Sequence, residues 1–177
     1  MRDEIVLALI VSALSVSSCI DCGVRPAEAQ TVPARLAAGG SREAAAVTVS
    51  ARLLCGEADG HVADYGAILH TLQRRADRHG LSLVAMARAY SAPLRGHGGA
   101  RGRWVRALPV LPTPGYARTW RGCVDAAQAF VAGELADPCA GPSTHFGSRR
   151  DVASRWPGVA EIDCGATRNV FFAEVAR

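Results

Sequence analysis

The chain has 177 residues and carries a formal net charge of +4, with 20 cationic residues that are all arginine. That length supplies one domain's worth of core, enough to fold without a metal or a dense set of disulfides. The arginines are scattered and not interleaved with aromatics in any nucleic-acid-binding motif, so nucleic acid is not an expected partner.

At the start, Ile5 to Val16 form an apolar run that is too short for an ordinary membrane span and suits a secretory signal. Ala27-Glu28-Ala29 follows with a small-x-small cleavage pattern, so residues 1–29 are read as a signal sequence and 30–41 as a linker. Val16-Ser-Ser-Cys19 also resembles a lipobox, which leaves a lipid anchor at Cys19 as the alternative processing. Removing 1–29 takes away Arg2 and Arg25 against Asp3, Glu4, Asp21 and Glu28, which raises the charge from +4 to +6. A periplasmic or extracellular protein of that charge would be drawn to an anionic wall or lipid surface.

The domain is expected over 42–177. Spaced Val47, Leu53 and Leu54 predict a first helix over 42–57, broken by Asp59-Gly60. Val62, Tyr65, Leu69, Leu72 and Ala76 fall at helical spacing and predict a second over 61–79, stopped by Gly80. Ser82 is a candidate cap for a short third helix that reaches Tyr90-Ser91 before Pro93. Residues 93–115, rich in glycine and proline around Trp104, read as a long loop. A fourth helix is expected over 116–133, with Trp120, Cys123, Val124, Ala127, Phe130 and Val131 on one side. Beyond it come a turn at 137–142, an extended Ser143 to Phe146 and a strand within 169–175. The fold class is therefore mainly α with a short C-terminal β element.

Glu57 is the leading candidate for chemistry. It follows Leu53-Leu-Cys-Gly56 at a helix C-terminus, where apolar neighbours and the helix dipole both favour the neutral carboxyl. A general acid needs such a proton. Asp59, Asp64 and Asp125 are possible second acids but read as surface or helix-end residues. Cys139 and Cys164 sit in turn-like settings and are expected to form a disulfide in an oxidising compartment. Cys55 and Cys123 lie on apolar helix faces and either pair or are buried as small hydrophobes. Within residues 30–177 no Cys-x-x-Cys, Cys-x-x-His or His-Glu-x-x-His spacing appears, so zinc is not expected.

Ala51-Arg-Leu-Leu-Cys-Gly-Glu57-Ala-Asp-Gly60 resembles the Gly-Glu-Ala-Arg-Gly signature of SleB-type, spore-cortex-lytic cell wall hydrolases, with Asp59 where the signature has arginine. Three further segments follow in that family's order. Gly66 to Arg74 is similar to its helix ending near Asn-Arg, Ala89-Tyr-Ser91 to its Gln-Phe-Ser, and Asp137-Pro-Cys-Ala-Gly-Pro-Ser-Thr-His-Phe146 to its Asp-Pro-Thr-Gly-Ala segment and His/Tyr-Phe pair. The final thirty residues match none of its segments. The resemblance implies a lysozyme-like helical fold and cleavage of the peptidoglycan glycan strand without a cofactor. One glutamate would act as both acid and base, and the muramic acid 6-hydroxyl would close on C1. It further implies Glu57 as the catalytic residue, Tyr90 and Ser91 as positioning groups, and His145 and Phe146 as cleft-lining residues. Trp104 and Tyr116 could stack on sugar rings, with core packing the alternative for Trp104. The chain is read as a monomer whose partner is peptidoglycan. Two rivals remain: a non-catalytic wall-binding or structural module of the same fold, and a peptidase using Cys55 with His145.

Overall fold

The computed structural model describes residues 41–97, 105 and 114–175. The signal sequence, the linker up to residue 40, Cys19 and Trp104 lie outside the described residues. The fold is mainly α with a short C-terminal β element: helices α1 (Ser41–Glu57), α2 (Asp64–Arg78), α3 (Leu83–Tyr90) and α4 (Pro114–Val131), then strand β1 (His145–Gly147), helix α5 (Arg149–Arg155), and strands β2 (Val159–Ile162) and β3 (Val170–Glu174).

α1 is the central helix. Val47, Val49, Ala51, Leu53, Leu54 and Cys55 are all buried, so its second half is apolar around most of its circumference rather than along one stripe. α4 lies along it and contributes Cys123 and Ala127 to the core, while Trp120, Val124, Phe130 and Val131 pack at the margin. α2 presents the apolar face that its spacing predicts, with Tyr65, Leu69, Leu72 and Ala76 buried.

The second helix departs from the sequence reading at its start. It begins at Asp64, and Val62 is 70% exposed rather than inward. Residues 61–63 instead form turns, with the Asp64 N–H donating to the His61 carbonyl at 3.0 Å and the Tyr65 N–H to the Val62 carbonyl at 3.1 Å. Asp64, expected as a surface or helix-end residue, is the first residue of α2 and is fully buried. α3 starts as predicted, its Ser82 Oγ accepting from the Ala85 N–H at 3.2 Å.

The three strands form an antiparallel sheet in the order β1-β3-β2, with His145 opposite Phe172 and Ile162 opposite Phe171. Phe171 and Phe146 point into the helical core from this sheet. Several attachments hold the C-terminal part in place. Arg74 on α2 forms an ion pair with Asp137 and donates to the Ser143 carbonyl (2.7 Å) and Oγ (2.6 Å), while Thr71 Oγ1 lies 2.6 Å from the same Ser143 Oγ. The Cys139–Cys164 disulfide then joins the turn after α4 to the turn between β2 and β3.

α5 and β2 have no counterpart among the elements that the sequence predicts. α5 is a seven-residue polar helix capped by Ser148, whose Oγ accepts from the Asp151 N–H at 3.1 Å. β2 is four residues long and exposes its middle pair, so neither element carries a readable periodicity.

Candidate active site

Glu57 is the last residue of α1. Asp59 (φ 51°) and Gly60 (φ 79°) both adopt left-handed backbone, which ends the helix and turns the chain away within three residues of the carboxyl group. The residue before it, Gly56, is seated against Pro93, where an added Cβ would lie 2.6 Å from the proline ring. That close approach brings the end of α3 onto the end of α1. It sets Ser91, the C-cap of α3, beside Glu57, and the Ser91 hydroxyl donates to Glu57 Oε1 at 2.6 Å. Ser91 is itself buried, and its Oγ accepts from the Leu94 N–H at 3.4 Å, which fixes the hydroxyl's direction.

A cleft of about 350 Å³ opens beside this pair. Its walls include Tyr90, Phe146 and Trp156, with Arg95, Arg155 and Asp151 as charged groups and Asn169 from the turn before β3. The aromatic wall is locked from behind. Tyr90 and Trp156 stack at 6.1 Å between ring centroids with 16° between their planes, and the Arg75 guanidinium lies 4.4 Å from the Tyr90 centroid and 5.5 Å from that of Trp156. The Tyr90 hydroxyl donates to the Phe146 carbonyl at 3.3 Å, tying α3 to β1.

Burial raises the Glu57 carboxyl above its ordinary range, against the Ser91 hydrogen bond and the Arg95 charge, which act in the opposite direction. The outcome is a carboxyl group that keeps its proton to higher pH than a solvated glutamate. Burial likewise raises the Tyr90 phenol, so it acts as a neutral donor.

The sequence-derived candidates divide as follows. Glu57, Tyr90 and Phe146 line the cleft, and Ser91 is bonded to the glutamate. His145 stands behind the cleft rather than on its wall: it is 5% exposed, its Nδ1 lies 3.0 Å from Thr144 Oγ1, and its ring packs 4.5 Å from Trp156. Burial and the nearby Arg75 charge push the imidazole down to about 4, so it is neutral around pH 7. Tyr116 is exposed on α4 and does not line the cleft.

Cys55 is buried, and its thiol is pushed up by the hydrogen bond with Cys123 and by burial. Its thiol also lies 4.0 Å from the Thr119 carbonyl, whereas the His145 ring meets Thr144 and Trp156, and among the described residues no hydrogen bond joins Cys55 to His145. Both Cys55 and Cys123 are free thiols, and the Tyr65 hydroxyl lies 3.4 Å from Cys123 Sγ.

Five charged, polar or aromatic cleft residues were not among the sequence candidates. Arg155 and Trp156 enter the cleft from the end of α5, Arg95 from the turn after α3, Asp151 from the first turn of α5 and Asn169 from the turn before β3. None lies in a recognisable local motif. Of the acids considered beside Glu57, neither Asp59, Asp64 nor Asp125 lines the cleft, whereas Asp151 does, with its Oδ2 accepting from the Ser148 hydroxyl at 2.7 Å. Among the described residues no cluster of His, Cys, Asp or Glu is arranged to hold a metal, and no helix is long and apolar enough to cross a membrane. No protein-family model matches the chain, and neither the curated proteins nor the solved structures contain a significant match to it.

Proposed function

We propose that this protein cleaves the glycan strand of bacterial peptidoglycan, with Glu57 as the single general acid and base. The observation that carries the reading is a carboxyl group at once shielded enough to hold a proton and open to a cleft, aligned by the hydroxyl of Ser91. The aromatic wall of Tyr90, Phe146 and Trp156 suits the apolar faces of sugar rings. The similarity of residues 45 to 147 to SleB-type cell wall hydrolases supports the same chemistry, as do the basic character of the chain and a disulfide suited to an oxidising compartment.

In this reading the protonated Glu57 gives its proton to the glycosidic oxygen between N-acetylmuramic acid and N-acetylglucosamine as the C1–O bond breaks. The carboxylate left behind takes the proton of the muramic acid 6-hydroxyl, whose oxygen closes on C1. The products are an anhydro-sugar end and a free sugar hydroxyl, and Glu57 is again protonated. Because the sugar provides its own nucleophile, no second carboxylate is required. Asp151 in the same cleft favours a second reading, in which it activates a water and the products are reducing ends.

The protein would act after export, in the periplasm or outside the cell. Purified sacculi test the assignment. Clearing by the wild type and its loss in Glu57→Gln, by about 10²-fold or more, are expected for a general acid. Equal binding by both proteins with clearing by neither would make the chain a wall-binding module instead.

A further inference from the structure

Asn169 is joined to the end of α1 and the start of α2 by a network that fixes its side-chain amide. Its Nδ2 donates to Asp64 Oδ2 at 2.8 Å and to the Glu57 main-chain carbonyl at 3.4 Å, which uses both of its protons. Turning the amide over would set Oδ1 against a carboxylate and a carbonyl, both of which only accept. The orientation is therefore determined by the partners. Asp64 is in turn held, fully buried, by the main-chain N–H groups of Arg168 at 2.6 Å and Asn169 at 3.2 Å. Each of its oxygens is thus engaged by the turn that carries Asn169.

The remaining polar atom of this side chain, Oδ1, has no hydrogen-bond partner among the described residues, and Asn169 lines the cleft beside Glu57. A fixed acceptor at that position selects for a donor on whatever occupies the cleft. We propose that Asn169 is a substrate-binding residue whose Oδ1, held in one direction by the buried Asp64, accepts a hydrogen bond from the sugar seated beside Glu57. The donor is an acetamido N–H or a ring hydroxyl. Asp64 is then a positioning residue that acts through Asn169. This inference rests on the glycan reading above. A sugar lacking the matching donor would leave Oδ1 desolvated and unpaired, which makes the contact selective as well as attractive.

The test is isothermal titration of the full chain with the β-1,4-linked N-acetylglucosamine tetramer and with tetramers lacking the 2-acetamido group, the 3-hydroxyl or the 6-hydroxyl, using the wild type and Asn169→Ala. One hydrogen bond corresponds to a loss of roughly twofold to tenfold in affinity. We expect that loss in Asn169→Ala for the parent tetramer and its disappearance for the one ligand lacking the paired donor. Disappearance with the 2-deoxy ligand identifies the acetamido N–H, and with a 3- or 6-deoxy ligand the corresponding hydroxyl. Equal weakening for every ligand would mean general disruption of the cleft and would overturn the proposal, as would no weakening at all.

If Asn169→Ala does not fold, the ¹³Cγ resonance of Asn169 in the wild type decides. It should shift with the parent tetramer and stay put with one deoxy ligand; a response to all of them alike overturns the assignment. A wild type that neither binds the tetramer nor clears sacculi removes the glycan reading and this inference together. A wild type that does both without an Asn169 effect removes this inference alone.

Discussion

Opening the Cys139–Cys164 disulfide should destabilise the domain substantially, because it releases a long loop whose far end carries the turn before β3. The two cysteines are 25 residues apart in sequence. Closing a loop of that length lowers the entropy of the denatured chain by about 12 cal/mol/K, equivalent to about 3.5 kcal/mol at 25 °C. For a domain of about 135 residues the unfolding entropy near the midpoint implies a drop in melting temperature of about 12 °C. The assay is thermal unfolding of the oxidised wild type against Cys139→Ser/Cys164→Ser, with Cys55 and Cys123 left intact as buried thiols. Glycan affinity should fall as well, since the released loop leads through Gly165 to Asn169. Melting temperatures within about 2 °C of each other would show that the loop is already restrained without the bridge and would refute the reasoning.

Further outcomes follow from the site. Because burial raises the Glu57 carboxyl, the folded state binds its proton more tightly than the unfolded chain does. Its contribution to stability is fully present below the ordinary glutamate value of about 4.3 and is lost as pH rises through the folded value. Glu57→Gln should therefore match the wild type in urea unfolding at low pH and exceed it at neutral pH; the reverse order would mean that the charge is stabilised in place. Ser91→Ala removes a hydroxyl that pulls the carboxyl down, so the alkaline limb of the pH–rate profile should move to higher pH. An unmoved limb would separate that hydroxyl from the reacting proton. Gly66→Ala would set a Cβ 2.5 Å from the Ala136 carbonyl oxygen and 3.1 Å from Pro138 Cδ. Despite the better helix propensity of alanine, it should destabilise the domain by about 1–2 kcal/mol in chemical unfolding, and a gain in stability would contradict the tight seat of the 136–138 turn on α2.

Helices α1 to α4 were legible because their apolar residues recur at helical spacing and because Asp59-Gly60, Ser82 and Pro93 punctuate them. Half of the site was legible for the same reason. Glu57 and Ser91 sit at helix ends, and Tyr90 precedes the cap of α3, so their places follow from local signals. The rest depends on contacts between distant parts of the chain. Asn169 meets the Glu57 carbonyl across 112 residues, and Trp156 reaches Tyr90 only once α5 and the sheet have packed. Asp64 looked like an ordinary helix-start carboxylate, because the donors that bury it lie more than a hundred residues further on. His145 was expected to line the cleft because the family resemblance pairs it with Phe146, but alternation along β1 directs adjacent side chains to opposite faces.

The central claim is that the Glu57 carboxyl delivers its proton to a glycosidic oxygen in the cleft. Mass spectrometry of the fragments released from purified sacculi by wild type and Glu57→Gln tests this most directly. Anhydro-muropeptides are expected from the wild type and none above background from Glu57→Gln. Intact glycan strands after prolonged incubation with the wild type, or the same fragments from both proteins, would rule out that proton transfer.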